Sequence, residues 1–369
     1  MNVPKLRFKE FNDEWIETKI QNVATVIGGG TPSTDEPKYW GNEINWFTPS
    51  EIGKTKYVTI SNRKISQDGL KNSSAKLLPK GTILLSSRAT VGEASILLNE
   101  ASTNQGFQSL IVNENNCNEF IYYLKYKYKR EMLIKSFGST FLEISKSNVE
   151  NIKIKIPSKE EQFMIANFFS LLDKKIELQS KKIEDLKLFK LSKYSSVFSK
   201  TNNKIKLSDI CIIEKGKQIN SDLLIENGNY YMLNGGILPS GYLNEYNTNE
   251  NTITISEGGN SCGYVNFNKT KFWCGGHCYK IISPSVNTSY LYHLLKYNEK
   301  KIMDLRVGSG LPNIQKKDLE ALKLSINKND EQLKIGILFD TFDKKINLET
   351  NKLDKLQELK KGLMQNMFV

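Results

Sequence analysis

One stretch of this sequence occurs twice, and the two copies decide the fold. Residues 159–198 are KEEQFMIANFFSLLDKKIELQSKKIEDLKLFKLSKYSSVF, and residues 329–368 are NDEQLKIGILFDTFDKKINLETNKLDKLQELKKGLMQNMF. The offset between them, 331 minus 161 or 170, aligns Glu161-Gln162 with Glu331-Gln332. The same offset aligns the two DKKI tetrapeptides at 173–176 and 343–346, and no gap is needed. Such a repeat has to be explained first, because it determines the architecture.

Both copies have the pattern of a long amphipathic helix. Neither contains proline, and both are rich in leucine, lysine, glutamate and isoleucine, which helices tolerate well. Apolar residues recur at steps of three and four, which is a heptad pattern. The predicted seam between the helices consists of Ile165, Phe169, Leu172, Ile176, Ile183, Leu186, Ile335, Phe339, Phe342, Ile346, Leu353 and Leu356. Gln179 and Glu349 interrupt the two seams at matching places, where a polar residue can fix the register.

Each helix needs a partner for its apolar face. At about 1.5 Å per residue, a helix of roughly 40 residues is about 60 Å long, which is enough to bridge more than one small domain. Two matching helices in one chain favour an intramolecular antiparallel coiled coil, because the block between them must fold compactly and return the chain. The alternatives are that each helix packs on its own neighbouring domain, or that it pairs with a second chain.

A block of short apolar runs precedes each helix. The runs are separated by glycine, proline, asparagine and serine, which is typical of strands in a β-rich domain. One helix is predicted within each block, at 119–137 and at 289–307. Strands are predicted at 44–47, 57–60, 82–85, 94–98, 107–112, 149–156, 230–233, 252–255, 264–267, 279–282 and 319–326.

The sequence therefore predicts an α+β chain built by internal duplication with a pseudo-two-fold. It consists of a β-rich domain at 1–157, a spacer helix at 158–200, a second domain at 201–327 and a second helix at 328–369. The offset of 170 holds from the helix inside each domain onwards. It is larger upstream, where Gly29 aligns with Gly216, so the first domain contains additional residues.

Composition favours a polyanionic partner. The 369 residues have a net charge of +12, which favours nucleic acid, although abundant lysine, asparagine and isoleucine also characterise AT-rich genomes. No apolar run reaches the roughly 18 residues of a membrane span, and residues 1–11 are polar rather than secretory. Five irregularly spaced cysteines argue against a disulfide scaffold. These features predict a cytoplasmic protein that does not contact a membrane.

The sequence contains no persuasive catalytic or metal-binding motif. P-loop, H-E-x-x-H, G-x-S-x-G and Asn/Asp-Pro-Pro-Tyr patterns are missing, and the glycine run at 28–30 is predicted to be a structural turn. Of the two histidines, His293 lies on the apolar side of a predicted helix and is expected to be structural. The one zinc candidate combines Cys262, Cys274, His277 and Cys278, but it lacks the paired C-x-x-C spacing, so buried free thiols are favoured.

Basic and amide-bearing residues in the loops are the other functional signal. Arginine and lysine suit phosphates and guanine edges, whereas asparagine and glutamine suit adenine edges. Each residue alone is most simply a solvated surface residue, but together, on loops of duplicated domains, they are the best candidates for DNA contact. The candidates are Lys54, Lys56, Ser87, Arg88, Thr90, Asn104, Gln105, Ser139, Lys215, Lys217, Gln218, Asn260, Lys269, Lys271 and Ser309.

These features together resemble the specificity subunit of Type I restriction-modification enzymes, and the resemblance covers nearly the whole chain. Besides the duplication, it rests on Pro4-Lys5-Leu6-Arg7-Phe8, Glu14-Trp15, Ser87-Arg88, Asn104-Gln105-Gly106-Phe107, and the strand 152–157 before Glu161-Gln162. The second domain departs from the pattern, because Gly275-Gly276-His277-Cys278 stands where the first has Asn104-Gln105-Gly106-Phe107.

The resemblance implies a non-catalytic subunit with two target recognition domains, each binding one half of a split sequence in double-stranded DNA. It implies that the paired helices act as a spacer and dock two methyltransferase subunits. Restriction subunits would complete the complex. S-adenosylmethionine, ATP and magnesium are then expected on the partner subunits, with no cofactor on this chain. The alternative is a scaffold whose duplicated domains bind proteins; an autonomous enzyme is disfavoured by the missing motifs.

Overall fold

The computed structural model describes residues 3–138, 142–199, 203–308, 310 and 312–369. The chain forms two compact units, Met1–Glu177 with Asp354–Val369, and Leu178–Leu353. Each unit contains one β-rich domain and part of each long helix. No helix in the described ranges is long and apolar enough to cross a membrane.

The first domain is a set of short strands with two helices of one turn, a longer helix and a final short helix. Its elements are β1 (Ile16–Lys19), α1 (Ile20–Val23), β2 (Ala24–Gly28), β3 (Trp40–Phe47), β4 (Tyr57–Val58), β5 (Arg63–Ile65), α2 (Gln67–Lys71), β6 (Ile83–Leu85), β7 (Ala94–Leu97), β8 (Ser102–Thr103), β9 (Gln108–Val112), α3 (Asn118–Ile134), α4 (Lys146–Glu150) and β10 (Lys153–Ile156). The strands form three sheets, with the orders β2-β9-β6-β7-β4, β5-β3-β8 and β1-β10. The pair β1-β10 brings the first and last strands of the domain together, because Ile16 lies opposite Ile156.

The second domain follows the long helix α5 (Lys159–Phe198) and precedes the long helix α9 (Asn329–Met367). Its elements are β11 (Lys204–Lys206), β12 (Ile212–Lys215), β13 (Tyr230–Leu233), β14 (Gly241–Leu243), β15 (Thr252–Ser256), β16 (Val265–Asn268), β17 (Trp273–Cys274), β18 (Cys278–Ile282), α6 (Thr288–Tyr297), α7 (Glu299–Met303), α8 (Lys316–Glu320) and β19 (Lys323–Ser325). Its sheets have the orders β12-β18-β15-β16, β14-β13-β17 and β11-β19.

The two domains share one strand topology apart from β4. The order β12-β18-β15-β16 repeats β2-β9-β6-β7, and the two smaller sheets repeat in the same way. In the first domain β4 and α2 lie between the matching strands, in the region where the alignment offset changes. Within the described residues neither has a counterpart in the second domain. The duplication seen in the helices therefore extends to the β-rich domains, although their sequences have diverged.

The two long helices run antiparallel, as predicted. Lys360 Nζ lies 2.5 Å from Asp173 in the first unit, and Lys190 Nζ lies 2.5 Å from Asp343 in the second. Later residues of α5 thus contact earlier residues of α9. Both lysines and both aspartates are 170 positions apart, so the two ion pairs are counterparts under the duplication.

The predicted seam lies inside, in that none of its residues is exposed. Ile165, Phe169, Ile183, Phe339 and Ile346 are buried, and the other seam residues are half-buried. Near its first turns each helix also packs on a domain: the Phe169 ring lies 5.4 Å from Tyr123 and 5.6 Å from Phe368. Helix pairing and packing on a domain, which the sequence presented as alternatives, therefore both occur. Supercoiling of the pair remains a prediction.

The polar residues that interrupt the seams contact each other. Gln179 Nε2 donates to the carbonyl oxygen of Glu349 at 2.9 Å and to its carboxylate at 2.8 Å, and Lys182 Nζ lies 2.8 Å from the same carboxylate. The hydrogen bond from Gln179, followed by the one from Lys182, lowers the pKa of Glu349 to about 2. A slip of one helix past the other would break this cluster, so the cluster fixes the register.

The repeated Glu-Gln motif fastens the start of each long helix. Gln162 Nε2 donates to the carbonyl oxygen of Pro157 at 3.1 Å, and Gln332 Nε2 makes the matching bond to Asn327, also at 3.1 Å. Glu161 is buried and accepts two hydrogen bonds from the Arg7 guanidinium, at 2.8 and 2.7 Å. A bidentate pair of this kind has a fixed geometry, so it ties the N-terminal segment to α5.

Several predicted elements have different bounds in the structure. The stretch predicted as one helix at 289–307 is divided into α6 and α7 at Asn298, whose Nδ2 donates to the carbonyl oxygen of Leu294 at 2.8 Å. The predicted strands 149–156 and 319–326 begin later, because their first residues belong to α4 and α8. The apolar Val149 and Leu319 are buried from those short helices instead.

Candidate nucleic-acid interface

Four loops of the first domain meet at one edge of its sheets. The Gly30 N–H donates to the carbonyl oxygen of Thr103 at 2.9 Å, which joins the glycine-rich turn to the loop after β8. The Ser87 N–H donates to Gly106 at 2.8 Å, and its carbonyl oxygen accepts from Ile144 at 3.0 Å. We call this surface the first loop edge; it comprises residues 29–31, 87–90, 104–106 and 143–144.

The glycine run is a structural turn, as predicted, because the backbone passes too close for a side chain. A Cβ on Gly29 would lie 2.5 Å from the carbonyl oxygen of Thr103. The second domain contains the same arrangement, since a Cβ on Gly216 would lie 2.5 Å from the carbonyl oxygen of Cys274. Distances under 3.0 Å are not compatible with a real Cβ atom, so glycine is required at both positions.

The first loop edge presents four polar candidates. Arg88 is partly exposed, and its Nε lies 2.8 Å from the Glu143 carboxylate. Gln105 is exposed, and its Oε1 accepts from Thr31 Oγ1 at 2.5 Å. The other two candidates are the exposed Thr90 and the half-buried Asn104.

The second domain repeats this edge with the same backbone bonds. Glu257 N–H donates to the carbonyl oxygen of His277 at 3.0 Å, and its carbonyl oxygen accepts from Ile314 at 2.8 Å. These are the counterparts of the Ser87 bonds. The second loop edge comprises residues 216–218, 257–260, 275–277 and 313–314, and Lys215 ends the strand next to it. Its exposed candidates are Lys215, Lys217, Gln218 and Asn260.

The side chains of the second loop edge are arranged around a carboxylate that was not among the candidates. Lys215 Nζ lies 2.6 Å from Glu257, His277 Nδ1 lies 3.5 Å from it, and Tyr279 Oη donates to it at 3.2 Å. His277 is largely exposed, whereas Glu257 is only 12% exposed. The matching backbone hydrogen bonds make Glu257 the counterpart of Ser87. The alignment offset is not constant upstream of the helix inside each domain, so the sequence alone did not identify this position.

Two first-domain candidates, Ser87 and Lys56, have their side chains engaged inside the protein, whereas the prediction placed them on exposed loops in contact with DNA. The Ser87 side chain is fully buried, so this residue supports its loop through the backbone. Lys56 Nζ donates to Ser170 at 2.6 Å and lies 3.3 Å from Glu119. These contacts join the domain to α5, and Lys56 is not part of the first loop edge. Lys54 is exposed beside it, also outside the loop edge.

Two second-domain candidates, Lys269 and Lys271, lie at the end of a hairpin opposite the second loop edge. β15 and β16 are antiparallel, and the loop edge follows the end at which Ile255 faces Val265. Lys269 and Lys271 follow the opposite end, and Lys271 Nζ donates to Tyr246 Oη at 3.1 Å. Both therefore lie apart from the second loop edge. The remaining candidates, Ser139 and Ser309, lie outside the described residues.

The residues considered for metal binding have structural partners. Cys262, Cys274 and Cys278 are buried thiols, and the Cys274 Sγ donates to the carbonyl oxygen of Cys278 at 3.6 Å. The described ranges contain no group of three or more metal-ligating side chains. His293 is fully buried, where its Nδ1 lies 2.7 Å from Tyr194 Oη and burial lowers its pKa.

The family described as Type I restriction modification DNA specificity domain matches residues 12–188 and residues 199–358. The chain belongs to this family. The two matches correspond to the two copies of the repeat, so the specificity domain itself is the duplicated unit.

Individual relatives agree with this assignment. The Type I restriction enzyme MjaIX specificity subunit of Methanocaldococcus jannaschii is 31% identical over 352 residues, covering 83% of this chain and 82% of that protein. The EcoprrI specificity subunit of Escherichia coli is 24% identical and covers 96% and 92%. The crystal structure of a Type I system S subunit from M. genitalium has a TM-score of 0.70 at 21% identity and covers 100% of this chain and 99% of that one.

Membership of the Type I specificity family confirms two predictions. The chain is a specificity subunit rather than a protein scaffold, and such subunits are the non-catalytic members of their enzymes. Subunits of this family generally bind no cofactor themselves.

Proposed function

We propose that this specificity subunit recognises a bipartite sequence in double-stranded DNA, with one half bound at each loop edge. The observation that supports this most directly is that one loop edge is built twice from matching backbone hydrogen bonds but with different side chains. Arg88 and Gln105 stand on the first edge, and Lys217, Gln218 and Asn260 on the second. Different donors and acceptors on a common backbone select different base edges.

The partners follow from the same proposal. Two methyltransferase subunits bind the duplicated helices, and restriction subunits join the complete complex. S-adenosylmethionine, ATP and magnesium belong to those subunits, and the complex works in the cytoplasm, where the DNA is. The domain bounds proposed for exchange experiments are the sequence-derived ones, 1–157 and 201–327.

Exchange of one domain tests the proposal. Residues 1–157 are replaced by the matching block of a relative with another target, and the chain is expressed with its methyltransferase. Long-read methylome mapping is expected to show a motif altered in one half only. Exchange of residues 201–327 is the matched control and alters the other half. A change in both halves from either exchange contradicts the two-site proposal, and so does methylation without any sequence preference.

A further inference from the structure

A groove of about 1240 Å³ lies in the first unit between three helical walls. α3 contributes Tyr122, Tyr126 and Leu133, α5 contributes Leu171, and α9 contributes Met364. Of the three α3 residues, Tyr126 and Leu133 are exposed, whereas Tyr122 also belongs to the core of the unit. The volume exceeds the roughly 300–1,000 Å³ of small-molecule sites. A trough between helices with an apolar floor suits another amphipathic helix.

The groove is strongly basic. Seven lysine or arginine side chains line it, against three carboxylates. Two of the carboxylates are already paired, Glu93 with Lys129 and Asp173 with Lys360. Two of the cations, Arg130 and Lys174, are exposed and form no ion pair with any described residue.

The buried part of the groove adds a further unneutralised cation. Lys125 Nζ lies 4.2 Å from the Tyr122 ring centroid, and burial lowers its pKa to about 8. An anion brought into the groove would stabilise the charged form of this lysine. The charge of the groove is therefore uncompensated both at its rim and at Lys125 in the α3 wall.

The duplication repeats only part of this charge: Arg130 and Lys174 have Lys300 and Lys344 as counterparts, whereas two other lysines are not repeated. Lys125 and Lys129 have Leu295 and Glu299 as their counterparts in the second unit. Leu295 is fully buried there, and Glu299 pairs with Lys296 at 2.5 Å. A partner that bound both units equivalently would not require lysine at 125 and 129 in one unit and leucine and glutamate at the counterpart positions in the other. The groove therefore fits a partner that binds once per chain.

We propose that this groove binds one acidic amphipathic helix of a protein partner. Leucine-like side chains of that helix pack on Leu133, Leu171 and Met364, while its carboxylates meet Arg130 and Lys174. Duplex DNA fits less well, because its phosphates gain nothing from the apolar floor. The proposal goes beyond DNA recognition and does not depend on it.

The test uses the isolated full chain and a fluorescent helical peptide with leucine on one face and glutamate on the other. Fluorescence anisotropy is expected to show saturable binding of one peptide per chain. Reversing two charges at the rim, Arg130→Glu with Lys174→Glu, is expected to weaken binding by about tenfold or more. The matched control, Lys300→Glu with Lys344→Glu, makes the same change of charge at the counterpart positions of the second unit and is expected to leave binding unchanged.

Three results would overturn the proposal. The first is a lack of saturable binding to the wild-type chain, and the second is an equal loss in the two charge-reversed pairs, which would show unspecific attraction. The third is displacement of the peptide by a DNA duplex without the target, together with weaker binding of that duplex to the Arg130/Lys174 variant. Target methylation by the complex, measured in parallel, shows whether DNA recognition itself has been affected.

Discussion

Gly29 and Gly216 hold the two loop edges together, and both are predicted to be indispensable for stability. Gly216→Ala brings a methyl group against the carbonyl oxygen of Cys274, so the free energy of unfolding is expected to fall by about 1–3 kcal/mol. Thermal denaturation measures this. Gly362→Ala is the control, because nothing lies within 4 Å of a Cβ there and alanine is favoured in a helix. Equal melting temperatures for the two variants would contradict the close approach.

Lys217 and Lys269, which are both DNA-contact candidates from the sequence, are predicted to differ in their effect on DNA binding. Lys217→Ala is expected to weaken binding of the methyltransferase complex to target DNA, because Lys217 is exposed on the second loop edge. If it contacts a phosphate, the slope of log affinity against log salt changes by about 0.9. Lys269→Ala, at the opposite end of the β15-β16 hairpin, is expected to leave both quantities unchanged. The same loss from both substitutions would place the DNA elsewhere.

Individual site residues are the part that the sequence predicts least well. Lys56 stands beside a glycine turn and has the appearance of an exposed basic residue, but its Nζ binds Ser170, which is 114 positions away. Long-range contacts of this kind leave no local pattern. Glu257 was missed for a similar reason: the alignment offset changes upstream of the helix inside each domain, so only the matching backbone bonds show that Glu257 corresponds to Ser87. Its pairing with Lys215 depends on strands that come together only in the folded domain.

Elements with strong periodicity are predicted best. The bounds of α5 and α9 agree with the repeated stretches to within one residue, because a heptad pattern is local and continuous. Short strands depend on their neighbours instead: β8 and β17 have two residues each and exist only through parallel pairing with β3 and β13. The helix predicted at 289–307 is divided because the Asn298 side chain bonds to the backbone, and propensity alone does not show this.

The polar cluster between the long helices gives a pH-dependent prediction. The pKa of Glu349 is about 2 in the folded chain, below the ordinary value of 4.5, so its stabilising contribution is present above about pH 4.5. It is lost as the pH falls from there towards 2. In Glu349→Gln this part of the acid dependence is expected to disappear in chemical denaturation at a series of pH values. Glu358→Gln, an exposed residue of the same helix, is the control, and an unchanged profile for Glu349→Gln would contradict the prediction.

Across the whole chain, the duplication preserves the contacts between the long helices and the backbone of the loop edges. The side chains on the loop edges and in the groove differ between the two units. The ion pairs Asp173–Lys360 and Asp343–Lys190 are retained in both units. The loop edges keep their backbone bonds and change their side chains, as the proposed recognition of two different half-sites requires. The basic groove is present in the first unit, and two of its lysines, Lys125 and Lys129, are replaced by Leu295 and Glu299 in the second. Equivalent partners are therefore expected on the retained surfaces, and unique partners on the diverged ones.

The surfaces that both long helices retain predict how many methyltransferase subunits bind to each chain. Apolar side chains are at least half exposed at matching positions of both long helices, namely Phe163 and Leu333, Leu178 and Leu348, and Phe189 and Leu359. Exposed apolar residues at repeated positions indicate two equivalent docking surfaces. Two copies of one methyltransferase subunit are therefore expected per chain, measured by native mass spectrometry of the reconstituted complex.

Substitutions on these helices make that prediction specific. Phe163→Asp and Leu333→Asp, made singly, each place a charge on one docking surface and are expected to reduce the assembly to one methyltransferase per chain. The double variant is expected to bind none. Both positions are exposed, so the free chain should keep its melting temperature, which is the control for folding. A wild-type complex that saturates at one methyltransferase per chain, or single variants that still bind two, would show that the repeated apolar positions are not the docking surfaces.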